Sequence, residues 1–156
     1  WCMAQGETHG YHFGGDVYQR IELSENGLDC RIVPASDPVG EGTYNAAEFT
    51  PALIKDGKKL EDSFWTGEQP RACFGTGDQG VYMLIIEGRY PDEGIRGTSV
   101  NTCSDILLSY GCRNALNMDG GSSAILWYDG EYVTQCSSSF LRYTGGRPLP
   151  NAWVYG

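Results

Sequence analysis

An asparagine or aspartate is followed by glycine at four places in this sequence, and at three of them the pair is typical of a short turn between apolar runs. These three pairs are Asn26-Gly27, Asp56-Gly57 and Asp129-Gly130. Such pairs favour two-residue β-hairpin turns, because both turn residues must adopt positive φ. Glycine contributes 22 of the 156 residues, roughly twice its average share, and this supplies further tight turns. The sequence therefore predicts a fold made mainly of short strands joined by hairpins.

The apolar runs between the turns predict the strands. They cover residues 17–23, 28–33, 52–54, 81–86, 115–118, 124–128 and 152–155. The run 81–86, VYMLII, is the most apolar and predicts a buried strand. A helix is predicted over about 99–110, since apolar residues recur there at helical spacing, Thr98 or Ser99 can cap its start and Gly111 can end it. The predicted fold class is α+β, with a mixed, strand-rich sheet core and one main helix.

The chain has 156 residues, which suits a single domain over residues 1–156. A domain of this length can bury about two-thirds of the surface that its unfolded chain exposes. The first sixteen residues are rich in glycine and contain His9 and His12. A loop or frayed terminus with solvated imidazoles is predicted there, because these histidines follow no helical pattern. The chain starts at Trp1 without a signal-like stretch, which favours a mature form or a piece of a longer protein.

The formal net charge of −9 argues against two classes of partner. It repels nucleic acid and anionic membranes, and no cluster of lysine and arginine offsets it locally. The longest apolar run is far shorter than the roughly eighteen residues that a membrane helix requires. We therefore expect neither nucleic-acid binding nor a membrane segment in this chain, and the sequence leaves the oligomeric state open.

Six cysteines are many for a cytosolic chain of this length. They are residues 2, 30, 73, 103, 112 and 136. The even count favours an extracellular or lumenal protein with disulfides, although six buried free thiols are the alternative. A Cys103–Cys112 bridge is disfavoured, because a helix over 100–110 would hold the two residues about 13 Å apart. No C-x-x-C pair is present, so a structural zinc site has no support.

The segment 117–123, NMDGGSS, is the strongest candidate for a binding loop. Asp119 ends an apolar run and is followed by two glycines and two serines. The glycines permit positive φ and close approach of the backbone, so loop amides and serine hydroxyls can converge beside the Asp119 carboxylate. This arrangement suits an oxygen-rich substrate. Taken alone, the loop is more typical of an ordinary Gly/Ser turn.

With the helix ending at Gly111 and the closing segment GGRPLPNAWVYG, this loop resembles the phosphodiester glycosidase family. The hallmark of that family is a strand ending in N-L-D-G-G, often with a third glycine, followed by S-S. The resemblance is firm over about residues 70–155, plausible from about Asn45, and poor over 1–44. It implies hydrolysis of the bond between a sugar, similar to N-acetylglucosamine, and the phosphate of a glycosyl-1-phosphodiester.

Other positions extend the resemblance. Glu87-Gly88-Arg89 takes the place of the D-G-R that follows a core strand in the family, and Arg147, Pro148 and Asn151 match its closing segment. At the start of the predicted helix, Asn101 and Thr102 occupy the turn in which relatives often carry an acidic residue.

These matches define a predicted site. Glycosidases ordinarily use two carboxyl groups, about 5 Å apart for retention and about 6.5–9.5 Å apart for inversion; Asp119 and Glu87 are the catalytic candidates. A guanidinium offers a planar fork of donors to phosphate oxygens, which favours arginines at strand edges. The predicted substrate-binding residues are Arg71, Arg89, Asn117, Gly120, Gly121, Ser122, Ser123, Arg147 and Asn151.

Two alternatives compete with this prediction. A Ser-His-Asp hydrolase at Ser122 or Ser123 is disfavoured, because the chain has two histidines, both near its start, and no G-x-S-x-G elbow. A non-catalytic, extracellular saccharide-binding domain of the same fold is the main rival, with Trp65, Trp127, Tyr128 and Trp153 as stacking residues. No metal is assigned, although Asp119 and nearby carbonyls could bind a divalent cation such as calcium.

Overall fold

The structure, a computed structural model, describes residues 1–12, 16–27 and 29–155. Strands β1 to β7 are Cys2–Ala4, Glu7–His9, Gln19–Leu23, Cys30–Pro34, Asn45–Phe49, Ala52–Lys55 and Lys58–Lys59. Strands β8 and β9 are Arg71–Gly77 and Gly80–Ile86, helix α1 is Val100–Ser109, and strands β10 to β12 are Cys112–Met118, Trp127–Tyr128 and Glu131–Tyr132. Short 3-10 turns lie at Pro91–Glu93, Gly121–Ser123 and Ser139–Leu141.

Two five-stranded sheets form most of the fold. The first has the order β2-β1-β5-β3-β4 and the second the order β7-β6-β10-β8-β9, while β11 and β12 form a separate hairpin. The α+β prediction with one main helix is confirmed. All strand pairings in the described ranges are antiparallel rather than mixed, because hairpin turns connect most neighbouring strands.

The second sheet is the middle layer of three. On one of its faces, Phe74 and Leu116 pack against the first sheet, and on the other, Cys73 and Ala115 pack against α1. The alternation follows from the strand period of two, since successive side chains of β8 and β10 point to opposite faces. Strand β10 is central in this sheet, with β6 and β8 on its two sides.

The predicted turns at Asp56-Gly57 and Asp129-Gly130 and the predicted helix boundaries agree with the structure. Strands β3 and β4 pair as predicted, but the connection between Leu23 and Cys30 is longer than a two-residue turn, and Asn26 is not at positive φ. Asp56 and Asp129 have φ of 51° and 49°, each followed by a glycine at positive φ, as two-residue turns require. Helix α1 begins after Ser99, whose side chain accepts a hydrogen bond from the Thr102 amide at 3.2 Å. The predicted return strand began at Leu28, which lies outside the described residues, and β4 begins at Cys30.

Several strand predictions were wrong. Strand β9 is half-buried throughout, because it is the edge of the second sheet. Residues 152–155 form no strand, and Trp153 packs its ring on Phe74 instead. In the apolar run 124–128, residues 127–128 alone form a strand.

The prediction for the N-terminus was also wrong where the structure describes it. Strands β1 and β2 form a hairpin that joins the first sheet through β5. His12 is not simply solvated: its Nδ1 lies 2.6 Å from Glu48 Oε1, and its ring stacks on Trp1 at a centroid distance of 4.7 Å. Residues 13–15 lie outside the described part of the chain.

A buried charge network lies on β3. Arg20 and Glu22 are 0% and 2% exposed, and Arg20 Nε donates to Glu22 Oε1 at 2.7 Å. Glu22 Oε2 accepts from Arg31 at 2.7 Å and from Thr43 Oγ1 at 3.0 Å. Burial acts to raise the pKa of Glu22, but the hydrogen bonds from Arg20, Arg31 and Thr43 outweigh it and lower that pKa. A fully bonded network of this kind keeps buried charges tolerable.

The six cysteines, all within the described ranges, are free thiols. Four are buried, which is typical of cysteine as a small core residue. The expected disulfides are therefore not present, and the extracellular or lumenal location stays a prediction. None of the helical segments that the structure describes has the length and apolar character needed to cross a membrane.

Candidate functional site

The candidate site begins where β10 ends. Asp119 follows the strand, and residues 121–123 close into a 3-10 turn. Gly120 is required here, because a Cβ at this position would lie 2.5 Å from the Pro70 carbonyl oxygen. Gly121 has φ of +55°, and a Cβ there would lie 3.1 Å from the nearest nitrogen of the Arg89 guanidinium. The two glycines thus let the loop pack closely on Pro70 and beneath Arg89.

The loop does not present all of its amides to a ligand, as the sequence led us to expect. The Gly121 amide donates to the Pro70 carbonyl at 3.0 Å, and the Ser123 amide donates to the Gly120 carbonyl at 3.0 Å. These bonds fix the loop against the start of β8. The amides of Gly121 and Ser123 are therefore engaged within the protein rather than directed at a ligand.

A cavity of about 280 Å³ opens above the loop, a volume near the lower end of the range for small-molecule sites. It brings together nine of the eleven predicted site residues. They are Arg71, Arg89, Asn117, Asp119, Gly120, Gly121, Ser122, Ser123 and Arg147.

Asp119 is the single carboxylate among the described residues that line this cavity. Its side chain is 60% exposed, and its Oδ2 lies 3.2 Å from Arg147 Nη2. The same Nη2 also donates to Ser123 Oγ. Within the described ranges, Asp119 Oδ1 takes part in no hydrogen bond, so this oxygen is free to face a bound molecule.

Arg89 borders the loop on another side. Its backbone φ is +71°, an uncommon conformation for a residue with a Cβ, and its side chain is exposed. Nε donates to Gln69 Oε1 at 3.0 Å, while the guanidinium nitrogens lie over Gly121. Arg89 and Arg147 therefore both hold a guanidinium against the five-residue loop that contains Asp119.

Arg71 is placed differently from the other two arginines. It is 4% exposed, with Nε bonded to the Thr98 carbonyl at 3.0 Å and Nη2 bonded to the carbonyls of Trp65 and Gly67 at 3.2 and 2.8 Å. Burial lowers the pKa of its guanidinium, while nearby Cys103, Cys73 and Asp62 act to raise it. Arg71 thus spends three of its five donors on carbonyls of the segments before β8 and before α1, and it also lines the cavity.

Asn117 carries a buried acceptor without a protein partner. The residue is 1% exposed, and its Nδ2 donates to the Thr50 carbonyl at 2.7 Å. That bond fixes the amide orientation, since a carbonyl accepts from the nitrogen and not from the oxygen. Oδ1 has no hydrogen-bond partner among the described residues, and an unsatisfied buried acceptor costs about 1–3 kcal/mol. A donor from a ligand or a water molecule would satisfy it.

Two predicted site residues lie outside the cavity. Glu87 accepts a hydrogen bond from the backbone amide of Gln135 and holds the segment after β12 to the end of β9. Asn151 is exposed in the closing segment. Neither residue lines the cavity that contains Asp119.

The sequence prediction also missed lining residues, namely Phe49, Trp65, Gln69, Pro70 and Met118. The sequence indicates Trp65 only as one of several aromatic residues that could stack on a sugar. Its position above the cavity depends on long-range bonds between the segment before β8 and the start of α1, and no local pattern in the sequence reveals such bonds. The neighbouring motif TGEQP, rich in turn residues, was the available signal.

A metal site has no support in the parts of the chain that the structure describes. Residues 1–12, 16–27 and 29–155 contain no group of three or more histidine, cysteine, aspartate or glutamate side chains placed to hold an ion. A cation bound by Asp119 and backbone carbonyls, such as calcium, therefore stays a prediction.

The chain is similar to known proteins in sequence and in fold. A SPbeta prophage-derived uncharacterized protein, YomE, of Bacillus subtilis (strain 168) is 28% identical over 120 residues, which are 72% of this chain and 18% of that protein. The catalytic domain of zebrafish N-acetylglucosamine-1-phosphodiester alpha-N-acetylglucosaminidase, auto-inhibited by its pro-peptide, superposes with a TM-score of 0.62 at 15% identity. The superposition covers 87% of this chain and 50% of that structure, so the two share a fold over half of the larger protein.

The family model described as phosphodiester glycosidase matches residues 5–155. This match begins well before residue 45 and corrects the expectation that the N-terminal part fits the family poorly. Strands β2 to β4 of the first sheet thus lie within the range that matches the family. The chain belongs to the phosphodiester glycosidase family.

Proposed function

We propose that this domain hydrolyses the bond between the anomeric carbon of a sugar and a phosphate oxygen in a glycosyl-1-phosphodiester. The observation that carries the proposal is the position of Asp119, a carboxylate at the cavity with Arg89 and Arg147 around its loop. A sugar that resembles N-acetylglucosamine is the expected glycosyl group. Family membership supports the reaction class, and the cavity residues support the assignment of roles.

The charges favour one orientation of the substrate. The phosphodiester anion belongs beside Arg89 and Arg147, whose guanidinium groups are exposed and can donate to its oxygens. Asn117 Oδ1 cannot bind phosphate, because both groups are acceptors; it suits a hydroxyl or an amide N–H of the sugar. Asp119, two residues farther along the chain, then lies between the two parts of the substrate.

A single carboxylate is compatible with this reaction. Glycosidases that cleave a bond to an alcohol need a second carboxyl group to protonate the leaving oxygen. A phosphate leaves as an anion that two guanidinium groups can stabilise, so electrostatic stabilisation replaces the acid. Asp119 accepts one proton of the attacking water, whose oxygen forms the new bond to the anomeric carbon. The bond from that carbon to the phosphate oxygen breaks, its electron pair leaves with the phosphate, and the products are a free sugar and a phosphomonoester.

The test is to incubate the protein with a panel of glycosyl-1-phosphodiesters, including UDP-N-acetylglucosamine, and to follow sugar release by mass spectrometry. Asp119→Asn is the matched variant, since this side chain is 60% exposed and its replacement should leave the fold intact. Release that disappears in Asp119→Asn is the expected result. Full activity of Asp119→Asn would remove Asp119 from the mechanism.

A saccharide-binding domain without turnover is the second candidate function. The observation that favours it is the placement of Glu87, which binds the Gln135 amide and leaves Asp119 as the one carboxylate at the cavity. Binding of a sugar diester by folded protein, with no release of sugar from any member of the panel, would support this function over hydrolysis.

A further inference from the structure

The segment between β7 and β8 contributes an aromatic side chain to the cavity. We define residues 61–69, EDSFWTGEQ, as the aromatic loop. It carries two adjacent aromatic residues with different environments: Trp65 is 40% exposed and lines the cavity, whereas Phe64 is 88% exposed and does not. The loop therefore directs one ring towards the site and leaves the other in solvent.

Bonds to the start of α1 fix the aromatic loop. Asp62 and Asn101 bind each other reciprocally: the Asp62 amide donates to Asn101 Oδ1 at 3.0 Å, and Asn101 Nδ2 donates to the Asp62 carbonyl at 2.8 Å. Asp62 Oδ1 in turn accepts from the Trp65 amide at 2.6 Å. Asn101 lies in the turn where relatives often carry an acidic residue. It does not line the cavity, and instead it holds the aromatic loop through Asp62.

The backbone of Trp65 is held from two further directions. Its carbonyl accepts from the Val100 amide at 3.2 Å and from Arg71 Nη2 at 3.2 Å. The Arg71 guanidinium also lies 5.8 Å from the centroid of the Trp65 ring, within the range of a cation–π contact. A backbone held this firmly keeps the side chain in place before a ligand arrives, which reduces the entropy cost of binding.

The indole of Trp65 is available to a ligand. Its Nε1 makes no hydrogen bond with the residues that the structure describes, and its ring borders a cavity that already contains arginines for an anion. An aromatic ring with an apolar face and a polar edge suits a pyranose, whose C–H groups pack on the face while its hydroxyls remain hydrogen-bonded. A phosphate group gains nothing from such a surface.

We propose that Trp65 is the sugar-binding wall of this cavity and that Asn101 is the positioning residue that sets its orientation through Asp62. This inference rests on the proposed function for the nature of the ligand, a sugar joined to phosphate. The inference adds Trp65 as a residue that recognises the substrate. It also places the sugar beside the aromatic loop, and the group on the other side of the phosphate away from it.

The test uses binding in place of turnover, with Asp119→Asn protein that is expected not to consume the ligand. The probes are the methyl phosphodiesters of N-acetylglucosamine, glucose and galactose, with dimethyl phosphate as the matched anion without a sugar. Binding is followed by ¹⁵N–¹H correlation spectra of the tryptophan indole groups, and the spectrum of the additional variant Trp65→Phe identifies the Trp65 signal.

We expect at least one sugar diester to shift the Trp65 indole signal, and dimethyl phosphate to leave it in place. Adding Trp65→Ala should weaken sugar-diester binding about tenfold, a typical effect for loss of one stacking aromatic. Phe64→Ala is the matched control and should bind as the parent does. Asn101→Ala should move the Trp65 signal in the free protein and weaken sugar-diester binding, without changing the affinity for dimethyl phosphate.

The possible failures are distinguishable. Equal binding by the parent and Trp65→Ala, or no binding of any sugar diester, would overturn the inference. Trp65-dependent binding in a wild-type protein that releases no sugar would sustain the inference and reject hydrolysis. Sugar release by the wild type that does not depend on Trp65 would support hydrolysis and reject the role of Trp65.

Discussion

Trp153 stacks on Phe74, with ring centroids 3.8 Å apart and ring planes inclined by 10°. Phe74 belongs to β8 and is 3% exposed, within the core between the two sheets. The contact attaches the closing segment to the middle layer of the fold. Because Arg147 lies in the same segment, the stack helps to hold that arginine beside Asp119.

The first prediction concerns this stack. Trp153→Ala should lower the free energy of unfolding by about 2–3 kcal/mol, less than for a fully buried tryptophan because Trp153 is half-buried. It should also reduce sugar release, since Arg147 loses part of its support. Urea unfolding measures the first effect, with Trp127→Ala, an exposed residue of β11, as the control. Equal stability of the two variants would contradict the prediction.

The second prediction concerns Arg147. Arg147→Ala should reduce kcat/KM for a glycosyl-1-phosphodiester on the order of 10²-fold, the usual effect of losing one charged group that stabilises a transition state. Arg147→Lys should restore part of the rate, because it keeps the charge and loses the fork of donors. Arg113→Ala is the control, as Arg113 is exposed and pairs with Asp78 at 3.7 Å. Steady-state kinetics would refute the role if both alanine variants behaved alike.

The third prediction concerns the buried pair on β3. Glu22→Gln leaves Arg20 without its main partner and should cost about 3 kcal/mol at pH 7. The folded pKa of Glu22 is lowered from 4.5, so its stabilising effect is fully present above about pH 4.5 and is lost as the pH falls through the folded value. The difference between wild type and variant should therefore shrink below pH 4.5. Urea titrations from pH 7 to pH 3 test this, and a constant difference would refute it.

The fourth prediction concerns thiol reactivity. Burial raises the pKa of Cys30 to about 11, partly offset by a hydrogen bond with Thr76, although the residue is only half-buried. The thiolate is the reactive form, and roughly one Cys30 side chain in a thousand carries it at pH 8. Labelling of Cys30 should therefore be at least tenfold slower than that of free cysteine at pH 8 and should accelerate up to about pH 11. Mass spectrometry of labelled peptides measures the rate, and Cys30→Ser identifies the peptide; rapid labelling at pH 8 would contradict the prediction.

Local turn chemistry made much of the fold predictable. At Asp56-Gly57 and Asp129-Gly130 both turn residues adopt positive φ, and Ser99 caps a helix by bonds within its own turn, so neither feature depends on distant residues. The pattern of a strand followed by a loop also predicted that Asn117, Asp119, Gly120 and Gly121 lie together. Asn117 is near the end of β10 and the other three directly follow that strand, so all four reach the same cavity.

Long-range packing limited the rest. The apolar sequence of β9 predicts a buried strand. In the structure β9 pairs only with β8 in its sheet and is therefore a half-buried edge strand. The apolar run 152–155 predicts a strand, but the structure has no strand there, and the ring of Trp153 packs on Phe74 instead. Glu87 follows a strand, as Asp119 does. Its carboxylate binds the Gln135 amide because of the path that residues 133–136 take, and the sequence of those residues has no periodic pattern that would predict this path.

Strand β10 joins the site to the fold. Asn114 Nδ2 donates to the Cys30 carbonyl in the first sheet at 3.2 Å, and Asn117 Nδ2 donates to the Thr50 carbonyl at 2.7 Å. A substitution on this strand therefore alters stability and substrate recognition together. The aromatic loop belongs to neither sheet and contributes Trp65 to the cavity. Within this fold, new substrate preferences should therefore evolve by sequence change in the aromatic loop, while β10 stays nearly constant.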